Sequence, residues 1–160
     1  MITLVDNNFK TSEAGNTVTL MFELLSQPAA GANVSIPLSL GAAVDEMTLN
    51  ATSVLIQNTD WNQPSLNQVT LTGVDDNLID GTQMVEVITG SPNSADPVYA
   101  NLSAASVADL ALYNLDDDAA GLMLTQPQVV SENGSTTTFT VALQTSISVS
   151  YTHLTLPTKA

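Results

Sequence analysis

Hydrophobic and polar residues alternate with a period of two along much of this chain. Val18, Leu20, Phe22 and Leu24 alternate with Thr17, Thr19, Met21 and Glu23, which in a strand sends the first set to one face and the second to the other. Val34, Ile36 and Leu38 repeat the pattern. Further strands are predicted near Val54 to Gln57, Gln68 to Leu71, Gln83 to Ile88 and Ala108 to Leu115, separated by segments rich in Asn, Asp, Gly, Pro and Ser. Ser103 to Leu112 has some helical character, but it runs into Leu-Ala-Leu-Tyr, which fits a strand equally well. Seven or so short strands in about 115 residues predict an all-β fold, an antiparallel β-sandwich of immunoglobulin-like type. Val18, Phe22, Ile36, Leu38, Val69 and Leu71 are its expected core.

The chain also repeats itself. Thr11-Ser12-Glu13-Ala14-Gly15 precedes the strand holding Val18 to Leu24, and Val130-Ser131-Glu132-Asn133-Gly134 precedes a second alternating stretch with Phe139, Val141 and Leu143. The offset is 119 residues, and at the same offset Ile2 to Val5 matches Gly121 to Leu124 as a short leading strand. Residues 1–118 are therefore expected to form one module of a tandem repeat, and 119–148 the truncated start of another. Residues 149–160 have a different origin. Val149 to Thr158 back-translate as GTC TCT TAT ACA CAT CTG ACG CTG CCG ACG, which resembles a transposase-type sequencing-library adapter read in frame, so this tail is set aside from the fold.

Composition narrows the class of function. Sixteen Asp and Glu stand against two Lys or Arg, a net charge of -14, while 44% of residues are hydrophobic. That apolar content supports a folded core. The lopsided charge repels phosphate backbones and anionic headgroups and attracts cations, so neither nucleic acid nor a membrane surface is an expected partner. No cysteine is present, which excludes disulfides and thiolate metal sites. The single histidine, His153, falls in the adapter-like tail. Without a nucleophile elbow, a phosphate-cradling loop or aromatic platforms flanking a carboxylate pair, the chain is not expected to be an enzyme.

Acidic residues gather at predicted strand ends: Glu13, then Asp45 beside Glu46, then Asp75 and Asp76 with Asp80, then Asp116, Asp117 and Asp118. Sequential strands run up and down a sandwich, so loops distant in sequence meet at one pole and pool their oxygens. Calcium takes six to eight such ligands in flexible geometry. The alternative is that these are solvated turn residues, because Asp-Asn and Asp-Gly favour turns without any metal.

With these features in view, residues 1–118 resemble the Calx-beta family, the β-sandwich modules of sodium/calcium exchangers and of bacterial surface adhesins. The likeness rests on Ser12-Glu13-Ala14-Gly15, on Asp60-Trp61-Asn62-Gln63-Pro64 leading into Gln68 to Asp76, and on the terminal Asp116-Asp117-Asp118. It is closest to the bacterial variant. The resemblance implies calcium ligands at Glu13, Asp75, Asp76, Asp80 and Asp116 to Asp118. It also carries over Asp45, although the family's usual Gly-x-Asp-Tyr stretch is lacking there, and Asp80 stands where a Glu is common.

Other residues are given plain roles. Trp61 is expected to pack beside a strand start rather than to stack on a sugar, and Tyr99 and Tyr113 face solvent or the core edge. The four Asn-x-Ser/Thr triplets, at Asn33, Asn50, Asn101 and Asn133, are what chance produces in a chain of this composition. Two binding functions follow. One is a calcium-rigidified, extracellular or cell-surface repeat of a bacterial adhesin-type protein, with calcium and neighbouring modules as partners. The other is a carbohydrate- or receptor-binding accessory module of a secreted enzyme. The repeat favours the first.

Overall fold

The pleat accounts for the burial pattern of each long strand. In strand β3 (Thr17–Phe22) Val18, Leu20 and Phe22 are buried, and in β7 (Gln68–Gly73) Val69, Leu71 and Gly73 are. In β8 (Gln83–Thr89) Val85, Val87 and Thr89 are buried while Met84, Glu86 and Ile88 face out. The computed structural model describes residues 2–4, 9–125 and 129–146. Within them the chain divides into two compact units, one from Met1–Asp76 and Gly81–Asp117, the other from Asn77–Asp80 and Asp118–Ala160. The adapter-like segment 149–160 lies outside the described residues, as does Val5.

The first unit is a sandwich of two sheets. One has the order β1-β3-β7-β5, with β1 at Ile2–Leu4 and β5 at Met47–Leu49. The other runs β2-β10-β8-β4-β6, with β2 at Lys10–Ser12, β10 at Leu110–Leu115, β4 at Val34–Leu40 and β6 at Ser53–Ile56. A two-residue strand, β9 (Asn93–Ser94), also pairs with β4. Ladders are antiparallel apart from β2 beside β10, which is parallel. The six residues expected in the core all lie in a single buried cluster fed by both sheets, and Trp61 packs against its edge. Phe22 and Leu71 are among its largest fully buried side chains.

Two local details explain where the sequence pattern was harder to follow. Pro37 lies within β4, and one of the strand's partners changes there: Val34 and Ser35 pair with β9, while Leu38 to Leu40 pair with β8. The proline, lacking an N–H, thus sits where the partner changes. The segment with mixed helical and strand character divides, with a single 3-10 turn over Ala104–Ser106 before β10 starts at Leu110. A short helix, α1 (Pro97–Ala100), was not evident in the sequence. Asp96 makes it: its buried carboxylate accepts from Val98 N at 2.8 Å and from Ala29 N at 2.8 Å, capping the helix and tying down a distant loop.

Registers fix which loops share an end. Ser12 faces Leu115, Thr17 faces Thr72, Met47 faces Gly73 and Asn114 faces Gln83. The turns after β2, before β5, after β7 and after β10 therefore meet at one pole. In the second unit β11 (Leu122–Leu124) and β12 (Val141–Leu143) form an antiparallel pair. Their apolar side chains, with Phe139, are largely exposed.

Candidate metal centre

Glu13 is the anchor of the acidic pole. Its N–H donates to Leu115 O at 3.1 Å, continuing the β2–β10 ladder by one step. Gly15 then closes the turn, donating to Ser12 O at 3.0 Å from a positive φ of 80° that an L side chain rarely adopts. This is the local reason for Ser-Glu-Ala-Gly. The turn folds back at once into β3, and the Glu13 side chain is left only 3% exposed.

The floor beneath it is made by Gly73 and Asn114. A Cβ on Gly73 would stand 2.2 Å from Ser12 O and 2.5 Å from Asn114 Oδ1, so only glycine lets β7 approach the turn this closely. Asn114 is buried and fully used: its Oδ1 accepts from Thr11 Oγ1 at 2.9 Å, and its Nδ2 donates to Val74 O at 3.1 Å and to Glu46 Oε2 at 3.2 Å. Backbone from β7 and carboxylate from the β4–β5 turn are thus held to the same amide.

Above this floor, carboxylate oxygens of Glu13, Asp75 and Asp117 lie within 4.8 Å of one another. Asp117 N donates a long bond, 3.4 Å, to Glu13 Oε2, and Gly81 N donates to Asp116 Oδ2 at 2.7 Å. Burial pushes the Glu13 carboxyl above its ordinary value; the hydrogen bond from Asp117 opposes this, and the charges of Asp116, Asp76 and Glu46 add to the rise. Two unit charges at about 4.8 Å repel by about 3.5 kcal/mol at an effective dielectric of about 20, and by about 0.9 kcal/mol in water. The arrangement is a set of hard oxygen donors with one member out of solvent, and the described residues around it offer carboxylates, amides and hydroxyls. Such a donor set fits a hard divalent cation.

The other expected site residues are distributed around this group. Asp76 and Asp116 are half-buried and within electrostatic reach of Glu13. Asp80 and Asp118 belong to the second compact unit. Asp45 is exposed, whereas its neighbour Glu46 is half-buried and bonded to Asn114. Glu46 stands beside Asp45 among the acidic residues of the sequence but is not among the ligands expected there, because the three-residue strand β5 that places it is too short to show a period. Its carbonyl accepts from Val74 N at 2.9 Å, so recognising the three-residue strand β5 would have put Glu46 beside Asp75 and Asp76.

No protein-family model matches the sequence, and no curated protein sequence matches it. Among solved structures it is similar to a crystal structure of the calcium binding domain CBD12 of CALX1.1, with a TM-score of 0.44 and 14% identity. The match covers 79% of this chain and 50% of that one, so the chain spans about half the length of the structure it matches. No helix among the described residues is long and apolar enough to cross a membrane.

Proposed function

We propose that residues 1–118 form a calcium-binding structural module of a tandem-repeat, adhesin-type surface or secreted bacterial protein, and that calcium stiffens the junction with the module beginning at residue 119. The observation that carries this is the carboxylate of Glu13, buried yet within 4.8 Å of the oxygens of Asp75 and Asp117. A buried carboxylate beside two others is costly unless a cation compensates it, and the sequence supplies only Lys10 and Lys159. Glu13, Asp75 and Asp117 would hold the ion, with Asp76 and Asp116 as further oxygen donors. The bound ion supplies charge neutralisation and a cross-link between the β2–β3 turn and the segment after β10.

Junction stiffening follows from where Asp117 sits, on the stretch leading out of β10. The 119-residue offset supports the repeat, since β11 and β12 fall at the places of β1 and the end of β3. Trp61 is half-buried against the core, which favours a packing role over a platform for a sugar. Calcium titration of the chain by calorimetry, beside Glu13→Gln and Asp117→Asn, tests the site. Hydrogen exchange at Asp116 to Leu122 tests the stiffening. Millimolar calcium should bind and slow exchange there; absence of binding, or binding unchanged in both variants, rejects the site. Binding without slowed exchange rejects the stiffening alone.

A further inference from the structure

The turn that precedes the second alternating stretch differs from its first-unit relative at one chemically important residue. Ser12-Glu13-Ala14-Gly15 becomes Ser131-Glu132-Asn133-Gly134, so an Asn-Gly pair stands where the first unit has Ala-Gly. Both glycines take a positive φ, 80° at Gly15 and 91° at Gly134. Their hydrogen bonding differs. Gly15 N donates to Ser12 O at 3.0 Å, whereas Gly134 N–H has no acceptor in hydrogen-bonding geometry among the described residues. Asn133 and Gly134 are both exposed, and a Cβ built on Gly134 would meet no atom within 4 Å. Solvent therefore has free access to this peptide unit.

An Asn side chain followed by an unengaged N–H places an electrophilic carbonyl carbon beside a nucleophilic nitrogen in the same chain, and closing a ring between them is intramolecular. Glycine as the second residue leaves that nitrogen uncrowded. Asn133 Oδ1 also accepts from Ser131 Oγ, which stabilises the negative charge that develops on this oxygen during attack. The one other Asn-Gly or Asp-Gly pair of the sequence, Asp80-Gly81, lacks the free nucleophile. Gly81 has a similar φ of 76°, but its N–H is held by Asp116 Oδ2 at 2.7 Å. Exposed Asn50 and Asn101 precede Ala51 and Leu102, whose side chains crowd the attacking nitrogen.

We infer that Asn133–Gly134 is a site of spontaneous deamidation and isoaspartate formation in the folded chain. Hydroxide or water takes the Gly134 N–H proton, and the nitrogen bonds to Asn133 Cγ. The Cγ–Nδ2 bond then breaks, and Nδ2 leaves as ammonia with a proton from solvent, giving a cyclic imide. Water opens the ring at either carbonyl: cleavage at Cγ gives aspartate, and cleavage at the main-chain carbonyl gives isoaspartate. The balance is one water consumed and one ammonia released, with no change of oxidation state. Either product puts a new carboxylate beside Glu132, and the isoaspartyl form adds a methylene to the backbone of the turn. The first unit, with Ala14 at this place, has no such reaction. This inference does not depend on the proposed metal site.

The test incubates the whole chain at neutral and mildly alkaline pH, then digests it and separates asparaginyl, aspartyl and isoaspartyl peptides by chromatography and mass spectrometry. Asn133 should convert to both products, faster at the higher pH, and by about tenfold or more ahead of Asn50 and Asn101. Asp80 should stay unmodified in the folded chain and form isoaspartate in urea, where Asp116 no longer holds Gly81 N–H. Gly134→Ala should slow the reaction about tenfold; should that variant disturb the turn, the comparison of sites within the native chain decides by itself. Ser131→Ala should slow it about two- to tenfold, the loss of one hydrogen bond, and an unchanged rate would strike the serine from the mechanism. An intact Asn133, a rate there no greater than at Asn50 or Asn101, or isoaspartate at Asp80 forming as fast in the folded chain would overturn the inference.

Discussion

Replacing Glu13 by Gln should raise stability in chelator and remove most of the gain that calcium brings. The amide is nearly isosteric and keeps an oxygen to accept from Asp117 N, so packing is preserved while the charge is removed. In chelator the gain is the relief of repulsion from Asp75 and Asp117 at up to 4.8 Å. Both are exposed, which brings the effective dielectric close to the water value, where two pairs at about 0.9 kcal/mol each give an expected stabilisation of about 2 kcal/mol. At about 2–4 °C per kcal/mol for a chain of this size, the melting temperature rises by several degrees. With calcium at about a hundredfold over its dissociation constant, the native protein gains about 2.7 kcal/mol. If losing this ligand weakens the site about a hundredfold, the variant gains only about 0.4 kcal/mol at the same concentration.

Differential scanning calorimetry in chelator and in calcium reads both terms from one pair of proteins. Lower stability of Glu13→Gln in chelator would show that the buried carboxylate is a satisfied structural group rather than a strained one. A calcium-induced rise as large in the variant as in the native protein would mean that the cation binds elsewhere. Either result refutes the electrostatic reasoning, and the two refutations differ in which half they remove.

Other expectations follow from the same geometry. In chelator the advantage of Glu13→Gln should be absent below the ordinary glutamate value of 4.5 and should grow as pH rises through the raised value, because a group whose folded pKa is raised loses its stabilising contribution on deprotonation; an advantage that is flat with pH contradicts the raised carboxyl. Phe22→Ala, at a fully buried position, should cost about 3–5 kcal/mol in urea unfolding, and a cost under about 1 kcal/mol would deny it a central place. Gly73→Ala drives a methyl against Ser12 O and Asn114 Oδ1, so it should cost about 1–3 kcal/mol and also weaken calcium binding; an unchanged denaturation midpoint would show that the floor of the site is soft. Magnesium should raise the melting temperature far less than calcium, since it demands a smaller octahedron and sheds water reluctantly; equal effects point to unspecific charge screening.

What the sequence disclosed was governed by element length. Strands of six or seven residues, such as β3, β7 and β8, bury three alternating side chains each, enough for the period to show. Strands β2, β5 and β9 have three residues or fewer, and no period can be read from so few positions. Losing β5 had a functional consequence, because its register is what sets Glu46 rather than Asp45 against Asn114. Glu13 was legible through a turn motif with its own physical logic, a carboxylate followed by the left-handed glycine that closes the turn. Asp96 gave no such signal: its two N–H partners are separated by 69 positions, at Ala29 and Val98.

An apolar hollow at the end of β3 was illegible for the same reason of distance, since its wall joins Phe22 and Leu24 to Tyr99 and Val107, far apart in sequence. Once both poles of the first unit are known, their difference constrains assembly. One pole is ringed with carboxylates, and the other is a mainly apolar recess with a hydrophobic rim, so the two ends differ in chemistry. A contact between unlike ends is heterologous, and when it does not close into a ring it continues as a linear array. A tandem repeat at the 119-residue offset, as proposed above, would supply covalently what such a contact requires, successive copies in one orientation. A calcium ion at the acidic pole would then act on the stretch that leaves β10, where Asp116 and Asp117 lie.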